Sequence, residues 1–138
     1  MTATGVLQFP TLRQYMTGAV HTIAPSRSLA AAYGMMRRHR IRHLPVVEAG
    51  KVVGLLSERD VRLVDSLPNV TPMSIQVADV MVENVFTAPP DAPLGEIVET
   101  MIAKKLGAMI VIDGDRLVGV FTIVDALRAL HDRLERRA

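Results

Sequence analysis

Two short stretches of the 138-residue chain carry residue types that could hold a small polar ligand: Gly54-Leu55-Leu56-Ser57-Glu58-Arg59-Asp60 and Gly119-Val120-Phe121-Thr122-Ile123-Val124-Asp125. In each, a hydroxyl residue stands three positions before a carboxylate, a spacing that puts both side chains on one side of a first helical turn. An ionised carboxylate only accepts hydrogen bonds and offers two oxygens, which suits a vicinal diol such as ribose O2′ and O3′. The hydroxyl of Ser57 or Thr122, with the free N–H groups of a first turn, suits a phosphate. The two stretches differ where a phosphate would be paired. Arg42, His43 and Arg59 accompany the first, whereas the aligned residues of the second are Gly107, Ala108 and Val124. Charge-assisted bonds to phosphate contribute roughly 1.5 to 3 kcal/mol each. The Asp60 half-site is therefore expected to prefer phosphates, and the Asp125 half-site to be weaker, nucleoside-like or empty. The same residues also have a purely structural reading. Ser and Thr are good N-caps, Asp is favoured in a first turn, and Arg42 and His43 suit a solvated strand end.

The elements that position these residues are duplicated. Gly54 and Asp60 recur as Gly119 and Asp125, both 65 positions on, and at the same offset Met16 falls on Met81, Thr22 on Thr87, Pro25 on Pro90, Leu29 on Leu94 and Val53 on Val118. Each copy begins with a short apolar strand ending at Thr22 or Thr87, followed by a Pro-bearing turn. A helix follows, with Leu29, Ala32, Tyr33 and Met36 on one face in the first copy and Leu94, Ile97, Val98, Met101 and Ile102 in the second, where Pro93 fits the first turn. The basic run Arg37 to Arg40 loads the helix C-terminus, as the macrodipole favours. Two Val- and Ile-rich runs then read as a hairpin, His43 to Val47 with Lys51 to Leu56, and Ala108 to Ile112 with Arg116 to Phe121. A second helix starts near Ser57 or Thr122. The predicted fold class is α/β (α+β): two β-α-β-β-α repeats, 10–66 and 77–134, joined by a linker at 67–76 and packed with pseudo-twofold symmetry because neither buries both sheet faces alone.

Composition narrows the function classes. The chain is 49% hydrophobic and 22% charged, enough apolar material for a core. With no Cys, disulfides, thiolate metal sites and Cys nucleophiles are excluded. A net charge of +2 and 4% aromatic residues give little basis for nucleic-acid binding. No apolar run reaches the roughly 18 to 20 residues of a membrane span, and the start does not read as a signal peptide, so a cytoplasmic location without membrane contact is expected. His39 and His43 lack the common face that zinc requires, and Asp113 and Asp115 flank a hairpin Gly without the other carboxylates of a calcium loop. Neither a P-loop nor a nucleophile-elbow motif occurs, and no His base with an orienting acid is evident for Ser57. No catalytic residues, required cofactor or metal site are assigned, and the chain is not expected to be an enzyme.

Over residues 10 to 133 the order and spacing of YMTGAVHTIAP, RHLPVVEAGKVVGLLSERD, VMVENVFTAPP and GAMIVIDGDRLVGVFTIVD resemble the tandem CBS (cystathionine-β-synthase) domain pair, or Bateman module. The resemblance implies a regulatory module that binds an adenine nucleotide (AMP, ADP or ATP) or S-adenosylmethionine in clefts between the repeats. Ligand occupancy would be transmitted to a regulated protein partner whose identity is unknown. It further implies base contacts near the first strand and the hairpin start: Gly18, Ala19, Val20 and Thr22, with Val85, Thr87, Leu106 and Gly107 in the other copy. Such chains commonly pair, which implies a C2 homodimer, and Leu127, Leu130 and Leu134 of the last helix offer a face for the partner subunit. A ligand-free dimerisation or scaffold module is the alternative, and a nucleic-acid-associated protein using the basic helices a third.

Overall fold

The computed structural model describes residues 9–137. In chain order the elements are α1 (Leu12–Tyr15), α2 (Leu29–His39), β1 (His43–Glu48), β2 (Lys51–Ser57), α3 (Glu58–Asp65), β3 (Thr87–Ala88), α4 (Leu94–Lys104), β4 (Ala108–Asp113), β5 (Arg116–Thr122) and α5 (Ile123–Arg137), with 3-10 turns at Pro72–Ser74 and Val77–Asp79.

Both predicted hairpins form. β1 and β2 pair antiparallel through Ala49 and Gly50, whose φ angles of 53° and 78° are left-handed, a geometry that matches the twist of the flanking strands. The β4–β5 hairpin repeats this register. Its bulge between Val111 and Ile112 stands where the first hairpin has one between Val46 and Val47. Bulges at equivalent positions are the backbone counterpart of the sequence repeat. Ser28 caps α2 by accepting a bond from the Ala31 N–H at 3.0 Å.

The chain forms two compact units, one of the described residues up to Val20 together with those from Phe86 onward, the other of His21–Val85. In the His21–Val85 unit, Leu55 and Val82 exchange backbone hydrogen bonds of 3.0 and 2.9 Å, so a segment after the helix α3 completes the β2 edge. The other unit does the same with Thr17 and Val120, at 2.9 and 3.0 Å on the β5 edge. Glycine permits the approach. A Cβ on Gly54 would stand 2.5 Å from Met81 Sδ and 3.1 Å from the Val82 carbonyl oxygen, and one on Gly119 2.7 Å from Met16 Sδ and 3.0 Å from the Thr17 carbonyl oxygen.

Each unit has its own core. Leu29, Met36, Leu44, Val46, Leu56 and Val77 fill the first; Leu12, Met109, Val111 and Phe121, with Leu94 and Met101 of α4, fill the second. The stretch expected as a linker runs along α2, where Leu29 N donates to Ile75 O at 2.8 Å. Three local expectations need correction. The extended segment begins at Thr87 instead of ending there: β3 is only Thr87–Ala88, parallel to β4, and in the other unit Ile23 makes a single parallel bridge to Val46. Pro89 and Pro90 follow at once and have no N–H to continue a ladder. Pro93 is the N-cap of α4 and precedes its first turn. Ile102 is 73% exposed, because the buried stripe of α4 is only wide enough for Leu94, Ile97 and Met101.

Alanine at Gly119 or Gly54 should lower stability by about 1 to 3 kcal/mol, since Met Sδ can yield but a backbone carbonyl cannot. Gly34, inside α2 with nothing within 4 Å of the place a Cβ would occupy, provides the opposite sign. Gly34→Ala should stabilise by up to about 1 kcal/mol, and urea unfolding of the three variants measures the contrast.

Candidate functional site

Ser57 ends β2 and caps α3, its hydroxyl oxygen accepting the Asp60 N–H at 3.1 Å. The hairpin register sets His43 directly opposite Ser57. Arg42, just before β1, is fixed through its carbonyl, which accepts the Glu58 N–H at 2.8 Å. The strand ends and first helical turns therefore converge on a cleft of about 580 Å³ walled by Arg42, His43, Ser57, Glu58, Arg59, Arg62, Leu63 and Ser66. Four of these are residues expected from the sequence; Glu58, Arg62, Leu63 and Ser66 are additions. Arg62, Leu63 and Ser66 follow Arg59 at i+3, i+4 and i+7, the helical repeat, a signal already present in the sequence, while Glu58 is the residue next to Ser57.

Three arginines, Arg42, Arg59 and Arg62, line this cleft with one acidic residue, Glu58, whose Oε1 is 3.6 Å from Arg62 Nε. Burial lowers the pKa of His43 from its ordinary 6.5, with Arg42 acting in the same direction and Asp60 and Glu58 partly opposing. Asp60 does not line the cleft wall; it stands half-buried on the first turn of α3, and among the described residues its carboxylate makes no hydrogen bond within the chain. The hairpin register brings His43, already expected at this half-site, beside Ser57. No hydrogen bond joins His43 to Ser57 or Asp60, so no proton relay is formed.

The second copy has the same backbone and a different carboxylate. The Gly107 carbonyl accepts the Ile123 N–H at 3.2 Å, as Arg42 does for Glu58. Asp125, however, is 2% exposed. Its Oδ2 accepts from Thr122 N at 2.9 Å and Thr122 Oγ1 at 3.2 Å, and its Oδ1 from Arg128 Nη1 at 2.9 Å. Thr17 Oγ1 adds bonds of 3.3 and 3.5 Å to the two oxygens. Thr122 and Asp125 thus form a reciprocal cap of α5. Thr22 and Thr87 are exposed, and Gly107 is half-buried. Gly18, Ala19, Val20, Val85 and Leu106 border the same extended segments and β-hairpin starts. His39 stacks on His21 with ring centroids 3.6 Å apart, away from His43.

The CBS domain profile matches residues 12–66 and 77–132. The chain belongs to the CBS-domain family. Its two repeats form a tandem CBS pair of mixed α/β structure. Among curated proteins it is similar to the uncharacterised protein MJ1225 of Methanocaldococcus jannaschii, 31% identical over 132 residues, covering 83% of this chain and 46% of that protein. The chain spans less than half the length of most of the first relatives it matches, several of which are inosine-5′-monophosphate dehydrogenases. Among solved structures, the CBS domain pair of MJ0100 in complex with 5′-methylthioadenosine and S-adenosyl-L-methionine superposes with a TM-score of 0.83 at 23% identity, covering 91% of this chain and 99% of that one. CBSX2 in complex with AMP gives 0.75 at 21% identity, covering 88% and 96%. Among the described residues of this CBS pair, no helix is long and apolar enough to cross a membrane.

The two aspartates should separate on stability alone. Asp125→Ala removes the cap and its partners and should cost about 2 kcal/mol, whereas Asp60→Ala should change stability by less than about 1 kcal/mol; denaturant unfolding distinguishes them. His43 gives a pH signature. With its folded pKa below 6.5, its contribution is fully present above pH 6.5. It is lost as pH falls from there through the folded pKa, because the unfolded chain takes up the proton first. His43→Gln should flatten that loss when unfolding free energy is measured from pH 7.5 to 5.

Proposed function

We propose that this CBS pair is a regulatory module that binds an adenosine nucleotide, with its phosphates at Arg42, His43, Ser57 and Arg59 and its ribose diol on Asp60. The observation that carries the reading is the cationic cleft at the start of α3, adjoining the Asp60 carboxylate, which makes no hydrogen bond among the described residues. Arginine guanidinium groups pair phosphate oxygens in a fixed fork, and the Ser57 hydroxyl adds a rotatable donor. Arg62 is a further cation at the same wall. An anion arriving there would also oppose the lowering of the His43 pKa, so phosphate binding should be accompanied by proton uptake at His43. The adenosine compounds held by MJ0100 and CBSX2 support this reading through the shared fold.

Thr22, Thr87 and Gly107 are the proposed neighbours of the base, on the strength of the family resemblance. The half-site at Thr122 and Asp125 is proposed as the weaker one, in line with its committed carboxylate and the absence of cations at Gly107, Ala108 and Val124. The role is sensing: a ligand shifts the population of conformations in proportion to its differential affinity for them, and a protein partner reads the result.

A homodimer is proposed through α5. Ile123, Leu127, Leu130 and Leu134 recur at helical spacing and are 52 to 58% exposed. A second reading, dimerisation without ligand, is favoured by the same stripe.

Thermal unfolding against AMP, ADP, ATP and S-adenosylmethionine, run beside light scattering, decides between them. Ligand at 100 times its dissociation constant adds about 2.7 kcal/mol and should raise the midpoint by several degrees. Asp60→Ala and Arg42→Ala should abolish or reduce the rise. A dimer whose midpoint no adenosine compound moves would favour the ligand-free module.

A further inference from the structure

We infer that the second CBS repeat contains a ligand half-site that the chain itself keeps shut, with Thr17 and Arg128 bound to the Asp125 carboxylate in place of a ribose diol. The inference deepens the proposed function and rests on the assignment of Asp60 to the ribose of the first half-site.

The argument is a comparison of two carboxylates on the same backbone. A carboxylate accepts about four hydrogen bonds. Asp125 receives two from Thr122, one from Arg128 and a shared pair from Thr17, which leaves no acceptor site for an incoming hydroxyl. The Thr122 bonds belong to the helix cap, of which only the Asp125 N–H bond to Thr122 Oγ1 has a counterpart in the first copy, the Asp60 N–H bond to Ser57 Oγ. The other two donors do not belong to the cap. At the equivalent positions of the first copy, Thr17 is replaced by Val82 and Arg128 by Leu63, neither of which has a side-chain donor. Leu63 lines the cleft of the first half-site, and Val82 lies on the segment that pairs with Leu55. Two substitutions therefore account for the donors from beyond the cap that engage Asp125 and are missing at Asp60.

The pair also resembles what it replaces. The Thr17 hydroxyl, from outside the helix, and the Arg128 N–H group, from the next turn of α5, together present the donors that a vicinal diol would bring. Arg128 arrives from the surface, its side chain 56% exposed, so it can swing away without disturbing the core. Because Gly107, Ala108 and Val124 offer no side-chain cation, the opened half-site should take the nucleoside without phosphate.

Isothermal titration with adenosine, on full-length chain first saturated with AMP, tests the inference. Wild type should take up no adenosine, and Thr17→Val/Arg128→Leu about one per chain, lost again on adding Asp125→Asn. Thr17→Ser/Arg128→Lys, which keeps both donors, should behave as wild type. The reciprocal variant Val82→Thr/Leu63→Arg transplants the donors onto the first copy and should weaken adenosine, titrated without AMP so that the added guanidinium has no phosphate to pair, about tenfold or more; it keeps the test available if the first double variant does not fold. A folded Thr17→Val/Arg128→Leu chain that still takes no adenosine overturns the inference, as does a reciprocal variant that binds adenosine like wild type. If wild type binds no AMP, the Asp60 reading falls by itself. Adenosine uptake by the double variant would then still support the occluded half-site, and its absence would overturn that as well.

Discussion

A two-stranded hairpin is marginal in water, and both hairpins of this chain depend on short extended segments to close their edges. Leu55 of β2 is paired by Val82, and Val46 of β1 by Ile23; Val120 of β5 is paired by Thr17, and β4 by Thr87 and Ala88. The approach on the β2 and β5 sides is possible only because Gly54 and Gly119 leave room for Met81 and Met16 to lie across the ladder. Once those edges are covered, the opposite faces of the strands can receive α2 and α4, and the cores around Leu44, Val46 and Leu56 or Met109, Val111 and Phe121 become continuous. Glycine at this point of the strand is thus a requirement of the whole unit.

The same segments connect fold to site. Thr17 makes its ladder bonds through the backbone and reaches Asp125 with its side chain, so one residue both completes the β5 edge and engages the second repeat's counterpart of Asp60. Val82 performs the first task without the second. Along the second helices the divergence continues: Glu58, Arg59 and Arg62 stand where the other copy has Ile123, Val124 and Leu127. One helix start has become a charged cleft, and the other an apolar surface. Duplication followed by divergence at a few exposed positions lets one backbone carry two surface chemistries, since neither set of substitutions touches the buried stripe.

Local order was legible in the sequence because it depends on local causes. Val- and Ile-rich runs and turn residues gave the hairpins, Ser57 announced its cap, and the offset of 65 residues announced the duplicated helices. The grouping of Arg42, His43, Ser57 and Arg59 followed from the hairpin register, which brings residues 14 positions apart face to face at the His43–Ser57 pair. What the sequence concealed depends on distance. The state of Asp125 is set partly by Thr17, 108 positions earlier, and nothing in the Thr122-to-Asp125 motif distinguishes an engaged carboxylate from a free one. The grouping of residues up to Val20 with those from Phe86 onward was hidden for the same reason, since a repeat detected by offset carries no information about which strand edge each segment will join. Ile102 was misplaced because a helical stripe gives direction but not width.

The different chain composition of the two compact units has a consequence for the order in which they can form. His21–Val85 is contiguous, so every residue of that unit has been synthesised before the middle of the chain is far past. The other unit needs Met16 and Thr17 to meet Gly119 and Val120, and must close a loop of about a hundred residues to do so. The entropy of that closure grows only slowly with length, and an already folded insert shortens the effective loop further. Translation from the N-terminus therefore favours a sequence of events in which the unit with the cationic cleft is built first and the discontinuous unit closes afterwards.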